Sequence, residues 1–255
     1  PFVSKATGVQ MAKAAVLIGL GKTIAELKAE GYLPSNMDGA SLPEETAIAV
    51  KAAVLPFARF RTPEGVVVDS LLSPEMRSTG EVMGLDKHYD TAFAKAQAGA
   101  GSPLPTSGKV FISVANHDKR NVIIYAKMLE SLGFEIVSTG GTAEILRRNG
   151  LNSILVASKF AEANGDHSIV DMVRNGDIDL ILNTPAGGAA RSDGYEIRAA
   201  AVSVGCPVMT TISEFAAAVQ AINALREHSW DIMSLQEHGV QLAAAVDARS
   251  EGGEA

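Results

Sequence analysis

Residues 135–150 read EIVSTGGTAEILRRNG. A run of β-formers, Glu135–Ser138, breaks at Thr139-Gly140-Gly141-Thr142 and gives way at once to a helical pattern over Ala143–Arg148. Hydroxyl residues around a Gly-Gly pair can turn a chain tightly, or they can hold a phosphate at the new helix's free N–H groups. The residues of this stretch allow both readings.

Working outward, the same strand-then-helix unit repeats on either side. Before it stand VFISV (Val110–Val114) and a helical pattern over Lys119–Leu132. After it come SILVAS (Ser153–Ser158), a helix over Ile169–Asn175, DLILNT (Asp179–Thr184) and a helix over Glu196–Val204. VMTT (Val208–Thr211) and a helix over Ser213–Leu225 close the series. Short apolar runs without alternation suit strands buried on both faces, and helical crossovers between them predict an α/β fold. The expected architecture is a doubly wound, Rossmann-like parallel sheet.

AGAGSPLPTSG (residues 98–108) has no apolar periodicity and reads as a linker. Upstream, helices are expected over Gly8–Gly19, Thr23–Ala29 and Lys87–Gln97, and strands over Lys51–Phe60 and Val66–Asp69. They form no repeated unit and read as the α+β tail of a larger domain. The resulting division is 1–97, a linker at 98–108, a domain at 109–242 and a disordered tail at 243–255.

Composition narrows the function. A 47% hydrophobic, 20% charged chain is an ordinary globular one. Its net charge of −7, with no cluster of Lys and Arg, argues against a nucleic-acid partner. Its apolar windows fall short of the ~20 residues a membrane helix needs. The single cysteine, Cys206, excludes an internal disulfide framework, fits a reducing cytoplasm and reads as a small apolar filler beside Pro207. PFVSKATG at the start is not a signal peptide, and without a Met it reads as cut from a longer chain.

Ligands of open parallel sheets sit beyond the carboxyl ends of the strands. Lys119 falls in the first turn of its helix, where a cation opposes the helix dipole unless it faces a bound anion; the alternative is a solvated Lys paired with Asp118. Lys159 directly follows SILVAS, and Asn183 and Thr184 close the fourth strand. Two lysines, Thr139, Thr142 and the Gly140-Gly141 turn on one rim point to a phosphorylated small molecule. His117 and Asp118 have no second pair at metal-ligand spacing, so no metal site is expected. Asp166 and His167 read either as an acid–base pair or as a helix cap.

PFVSKATG (Pro1–Gly8) and SPEMRSTGEVMG (Ser73–Gly84), followed by this βα order up to about Gln236, resemble the C-terminal part of the carbamoyl phosphate synthetase large chain. The resemblance implies the end of the second ATP-grasp unit followed by a methylglyoxal-synthase-like (MGS-like) allosteric domain. Members make carbamoyl phosphate from bicarbonate, glutamine-derived ammonia and ATP, with Mg or Mn, for pyrimidine and arginine synthesis, partnered by a glutaminase small subunit. The family's catalytic carboxylate and Asn lie upstream of PFVSKATG, so this chain is expected to hold no catalytic residue and no cofactor, and to be inactive alone. UMP or IMP is the implied effector, with Lys119, Thr139, Thr142 and Lys159 on the phosphate and Asn183 near ribose or base. Pro185 departs from the family's Asn-Thr-Thr. At the family's ornithine site Ala52 replaces an acid, which argues against ornithine, although Thr211 resembles a remaining contact. Two other readings are a free-standing lyase like methylglyoxal synthase, with Asp166 as its base, and the purine enzyme with IMP cyclohydrolase activity, whose companion basic motif is not found. Neither explains residues 1–97.

Overall fold

Proline has no N–H to give a β-ladder, so a strand approaching Pro56 must end before it. The computed structural model describes residues 1–35, 46–59, 68–159, 167–185, 187–227 and 231–252. In it β1 (Ile48–Val54) stops short of Pro56, and the chain makes one 3-10 turn at Phe57–Arg59 where the sequence reading carried the strand on to Phe60. Ahead of β1 lie α1 (Phe2–Thr7), α2 (Met11–Gly19) and α3 (Ile24–Ala29). The helix expected over Gly8–Gly19 begins at Met11, and ahead of it α1, ended by Gly8 at φ 72°, was not expected. Thr23 and Glu26 form a capping box that starts α3.

β1 pairs antiparallel with β2 (Gly80–Asp86), Ile48 opposite Asp86 and Val54 opposite Gly80. The sequence reading placed a strand at Val66–Asp69 instead. Val68–Ser70 is irregular, and residues 66–67 lie outside the described residues. β2 escapes detection because Gly80, Glu81 and Gly84 interrupt its apolar run. Gly84 is there because α4 (Tyr89–Gly99) crosses it: an added Cβ would overlap the Ala92 carbonyl oxygen and come 2.7 Å from Ala96 N.

The larger sheet has six parallel strands in the order β6-β5-β4-β3-β7-β8. They are β3 (Lys109–Ser113), β4 (Glu135–Ser138), β5 (Ile154–Ser158), β6 (His167–Ser168), β7 (Leu180–Asn183) and β8 (Val208–Met209). Five answer the expected strands. β6 is too short to leave a period of its own in the sequence. Successive side chains alternate between two interiors. Val110, Ile112, Ile136, Leu180 and Leu182 point into one core, and Phe111, Val137 and Ile181 into the other. That is why these runs are apolar throughout. Each fully buried Phe or Ile contributes roughly 1.5–3 kcal/mol.

Helices α5 (Lys119–Ser131), α6 (Gly140–Arg148) and α9 (Ile212–Glu227) cover the first core. Helices α7 (Ile169–Arg174) and α8 (Gly187–Val204) cover the second. α8 begins well before the expected Glu196, its start hidden by a Gly-Gly-Ala-Ala stretch of mixed propensity. Phe93 and Ala94 of α4, and Leu104 from the stretch read as a linker, join the first core. Residues beyond Trp230 include a further helix, α10 (Leu235–Gly252), which packs on α1 and spans residues 243–252 of the expected tail. No described helix is long and apolar enough to cross a membrane.

Candidate functional site

The strand order reverses at β3. From it the chain runs outward through β4 and β5 on one side, while β7 and β8 lie on the other. Ligand crevices in such sheets form at this reversal, beyond the carboxyl ends. Here those ends present Ser113, Val114 and Ala115 from β3, Thr139 from β4, Lys159 from β5, and Asn183 and Thr184 from β7. Sequence reasoning had selected four of these seven, Thr139, Lys159, Asn183 and Thr184.

Lys119 opens α5 and reaches across to α6. A Cβ placed on Gly141 would lie 3.4 Å from its Nζ. Asp118, the alternative partner, faces His117, whose Nε2 is 3.4 Å from its carboxylate. Lys119 is therefore aimed at the helix start. Thr139 is the N-cap of α6, yet its side chain makes no cap hydrogen bond; its hydroxyl pairs with Ser113 Oγ at 3.3 Å. Thr142 N–H turns back to the Thr139 carbonyl oxygen at 3.0 Å. The N–H groups of Gly140 and Gly141 point off the helix end and have no acceptor within it. Both glycines are exposed, and a Cβ on Gly140 would meet nothing within 4 Å. The arrangement is a cationic, backbone-donor cradle open to an anion.

The other threonines build the wall. Buried Thr142 accepts from Val114 N–H at 3.4 Å, and buried Thr184 accepts from Ala115 N–H at 2.9 Å. These hydroxyls tie the loop after β3 to α6 on one side and to β7 on the other. Their first role is to satisfy buried backbone donors. Ser138 is likewise internal, its hydroxyl donating to the Ile112 carbonyl at 2.7 Å.

Lys159 carries a partner of its own. Its ammonium stands 2.8 Å from Glu196 of α8. That hydrogen bond holds the Glu196 carboxyl below its usual range, against an opposing push from burial. An anion drawing on Lys159 competes with Glu196. Asn183 is also engaged: its Oδ1 accepts from Arg198 Nη1 at 2.8 Å. Sequence reasoning missed both Glu196 and Arg198, which lie on the stretch it had read simply as a crossover helix.

Thr211 does not sit on this rim. It caps α9, its hydroxyl accepting from Glu214 N–H at 3.2 Å. A separate cavity of about 490 Å³ lies between β1 and the larger sheet and is lined by Ala52, Thr210 and Glu214, among others. Glu214 puts into it a carboxylate that the sequence reading did not expect beside Ala52. Burial raises that carboxyl's pKa, partly offset by the Thr210 N–H. Cys206 packs against the second core with its thiol 3.4 Å from the Ile178 carbonyl. Burial, with the Asp179 charge, pushes it up to about 12, so it is no nucleophile at neutral pH. Asp166 lies outside the described residues, as does the side chain of His167. Among the described residues, no group of three or more His, Cys, Asp or Glu is placed to hold a metal.

Comparison with known proteins agrees with this architecture. Residues 121–210 match the family model of the MGS-like domain. The carbamoyl phosphate synthase large chain of Kocuria rhizophila is 69% identical over 240 residues, which cover 93% of this chain and 22% of that one. Those of Paenarthrobacter aurescens and Pseudarthrobacter chlorophenolicus are 63% and 62% identical over 251 residues, covering 97% of this chain and 23% of each relative. The chain thus spans less than a quarter of the length of the curated relatives it matches. On this identity, and with an MGS-like domain on a doubly wound parallel sheet, the chain belongs to the carbamoyl phosphate synthase large-chain family and corresponds to its C-terminal part.

Proposed function

We propose that this chain is the effector-binding region of a carbamoyl phosphate synthase large chain, and that its ligand is a mononucleotide of the UMP or IMP type. The phosphate lies over the start of α6, received by the Gly140 and Gly141 N–H groups and by Lys119. Thr139, Thr142 and Lys159 complete the phosphate end, and Asn183 and Thr184 face ribose or base. The observation that carries this reading is the 3.4 Å approach of Lys119 Nζ to the Cβ position of Gly141, which gathers a cation and free amides at one point. Charge-assisted bonds of this kind are about twice as strong as neutral ones.

The parent's activity follows as part of the same proposal: carbamoyl phosphate made in the cytoplasm from bicarbonate, glutamine-derived ammonia and ATP with Mg or Mn, beside a glutaminase small subunit. This chain contributes regulation and no catalytic residue. Calorimetry with UMP, and with IMP in competition, tests the site. Lys119→Glu and Lys159→Glu should each weaken UMP at least about tenfold, or ~1.4 kcal/mol. Unchanged affinity in both variants removes the phosphate site. Methylglyoxal formed from dihydroxyacetone phosphate would replace the regulatory reading with the lyase one.

A further inference from the structure

Arg198 is fully buried, yet none of its three nitrogens is idle. Nε and Nη2 each donate at 2.7 Å to the two carboxylate oxygens of Asp69, a bidentate fork spanning 129 positions of sequence. Nη1 donates at 2.8 Å to Asn183 Oδ1. One guanidinium thus joins the end of β7, on the proposed nucleotide rim, to residue 69 of the upstream segment. Arginine has no acceptor, so the Asn183 oxygen must face it. That fixes the amide's orientation and leaves the Nδ2 donors for other partners.

Two further features make this junction specific. Gly194, one turn before Arg198, leaves the room it needs: a Cβ there would overlap Nη1 and stand 2.5 Å from Asn183 Oδ1. Glu196, on the same turn of α8, holds Lys159. Rim residues from two strands, Lys159 and Asn183, are therefore fastened to one short stretch of one helix. On the far side, the Asp69 carboxylate also accepts from Leu71 N–H at 3.1 Å, so the same group shapes the local turn of the upstream segment.

We infer that Arg198 is a positioning residue that couples the occupancy of the nucleotide rim to the segment around Asp69. This rests on the nucleotide reading above. A ligand that engages Lys159 or Asn183 differs in its contacts from the empty rim, and α8 passes that difference to the Arg198–Asp69 fork. Coupling of binding free energies is reciprocal. Changing Asp69 is then expected to change nucleotide affinity, just as nucleotide binding changes the surroundings of Asp69.

The test uses the whole chain with UMP. Calorimetry is run on the wild type and on Asp69→Asn, and amide hydrogen exchange is followed at Leu71. The proposal expects a UMP-dependent change of about fivefold or more in Leu71 exchange in the wild type. It also expects a shift of similar size in UMP affinity in Asp69→Asn, with the Leu71 response lost. UMP binding that leaves wild-type Leu71 exchange unchanged overturns the coupling and leaves the nucleotide reading standing; this needs no variant, so a misfolded Asp69→Asn does not shelter the idea. Equal UMP affinity in wild type and a folded Asp69→Asn overturns it too. No UMP binding by the wild type overturns both.

Discussion

Lys119 and Gly141 sit on different helices, yet the lysine ammonium stands 3.4 Å from the place where a β-carbon on the glycine would be. The approach joins the start of the helix after the central strand to the start of the helix after its neighbour. It turns two local sequence signals into one electrostatic feature.

Gly140→Ala separates fold from ligand. The position is open, with nothing within 4 Å of an added Cβ, and alanine favours helix by up to about 1 kcal/mol. Thermal stability is expected to hold or rise, while UMP affinity measured by calorimetry falls roughly tenfold because the methyl group occupies the phosphate's approach. Full affinity in a stable variant would place the phosphate elsewhere.

Gly194→Ala should invert the usual sign for glycine within a helix. The gain in helix propensity is about 1 kcal/mol, but the new methyl overlaps Arg198 and crowds Asn183. Overpacking costs of about 1–3 kcal/mol outweigh it. A urea midpoint below that of the wild type is expected; an equal or higher midpoint would mean the guanidinium yields freely.

Much of the larger sheet could be read from the chain because each strand is a short, wholly apolar run followed by a helical period. The start of α3 was legible because the Thr23 capping box sets it, whereas α6 begins at Gly140, ahead of the expected Ala143, because a Gly-Gly start carries little helix propensity. The antiparallel pair was harder. β2 carries two glycines and an exposed acid, Glu81, and the need for Gly84 comes from a helix packed across it. At the rim, Lys119 and the Gly-Gly turn announce themselves through helix-end electrostatics, which is a local property. Arg198 could not be recognised in this way. Its meaning lies in Asp69, 129 positions away, and no periodicity encodes that partnership.

Thr184→Val keeps shape and removes a hydroxyl. The buried Ala115 N–H then loses its acceptor at 2.9 Å. An orphaned buried donor costs about 1–3 kcal/mol. The loss should appear in denaturant midpoints without ligand, and Thr184→Ser should recover most of it. A stable Thr184→Val would show that Ala115 finds another acceptor.

Glu214 gives a pH signature. Burial holds its folded pKa above the ordinary 4.5, so between those two values the folded chain keeps a proton that the unfolded chain has released. The folded state binds more protons there, and stability falls as pH rises through that window. Glu214→Gln cannot titrate but still offers an oxygen to Thr210 N–H. Melting followed from pH 4 upward should show a flatter profile for the variant and greater stability than wild type at neutral pH. Parallel profiles would mean that solvent reaches the wild-type carboxylate.

Helix α4 packs on β1 and β2, yet Phe93 and Ala94 share their interior with Phe215 and Ala218 of α9. Severing the chain at the Gly- and Pro-rich stretch after this helix would therefore cut across a single hydrophobic interior. A protein trimmed to begin at residue 109 loses Phe93 and Leu104 and opens the first core, which they help to fill. Anyone isolating the MGS-like half does better to begin upstream of residue 89, so that this helix travels with the sheet it seals.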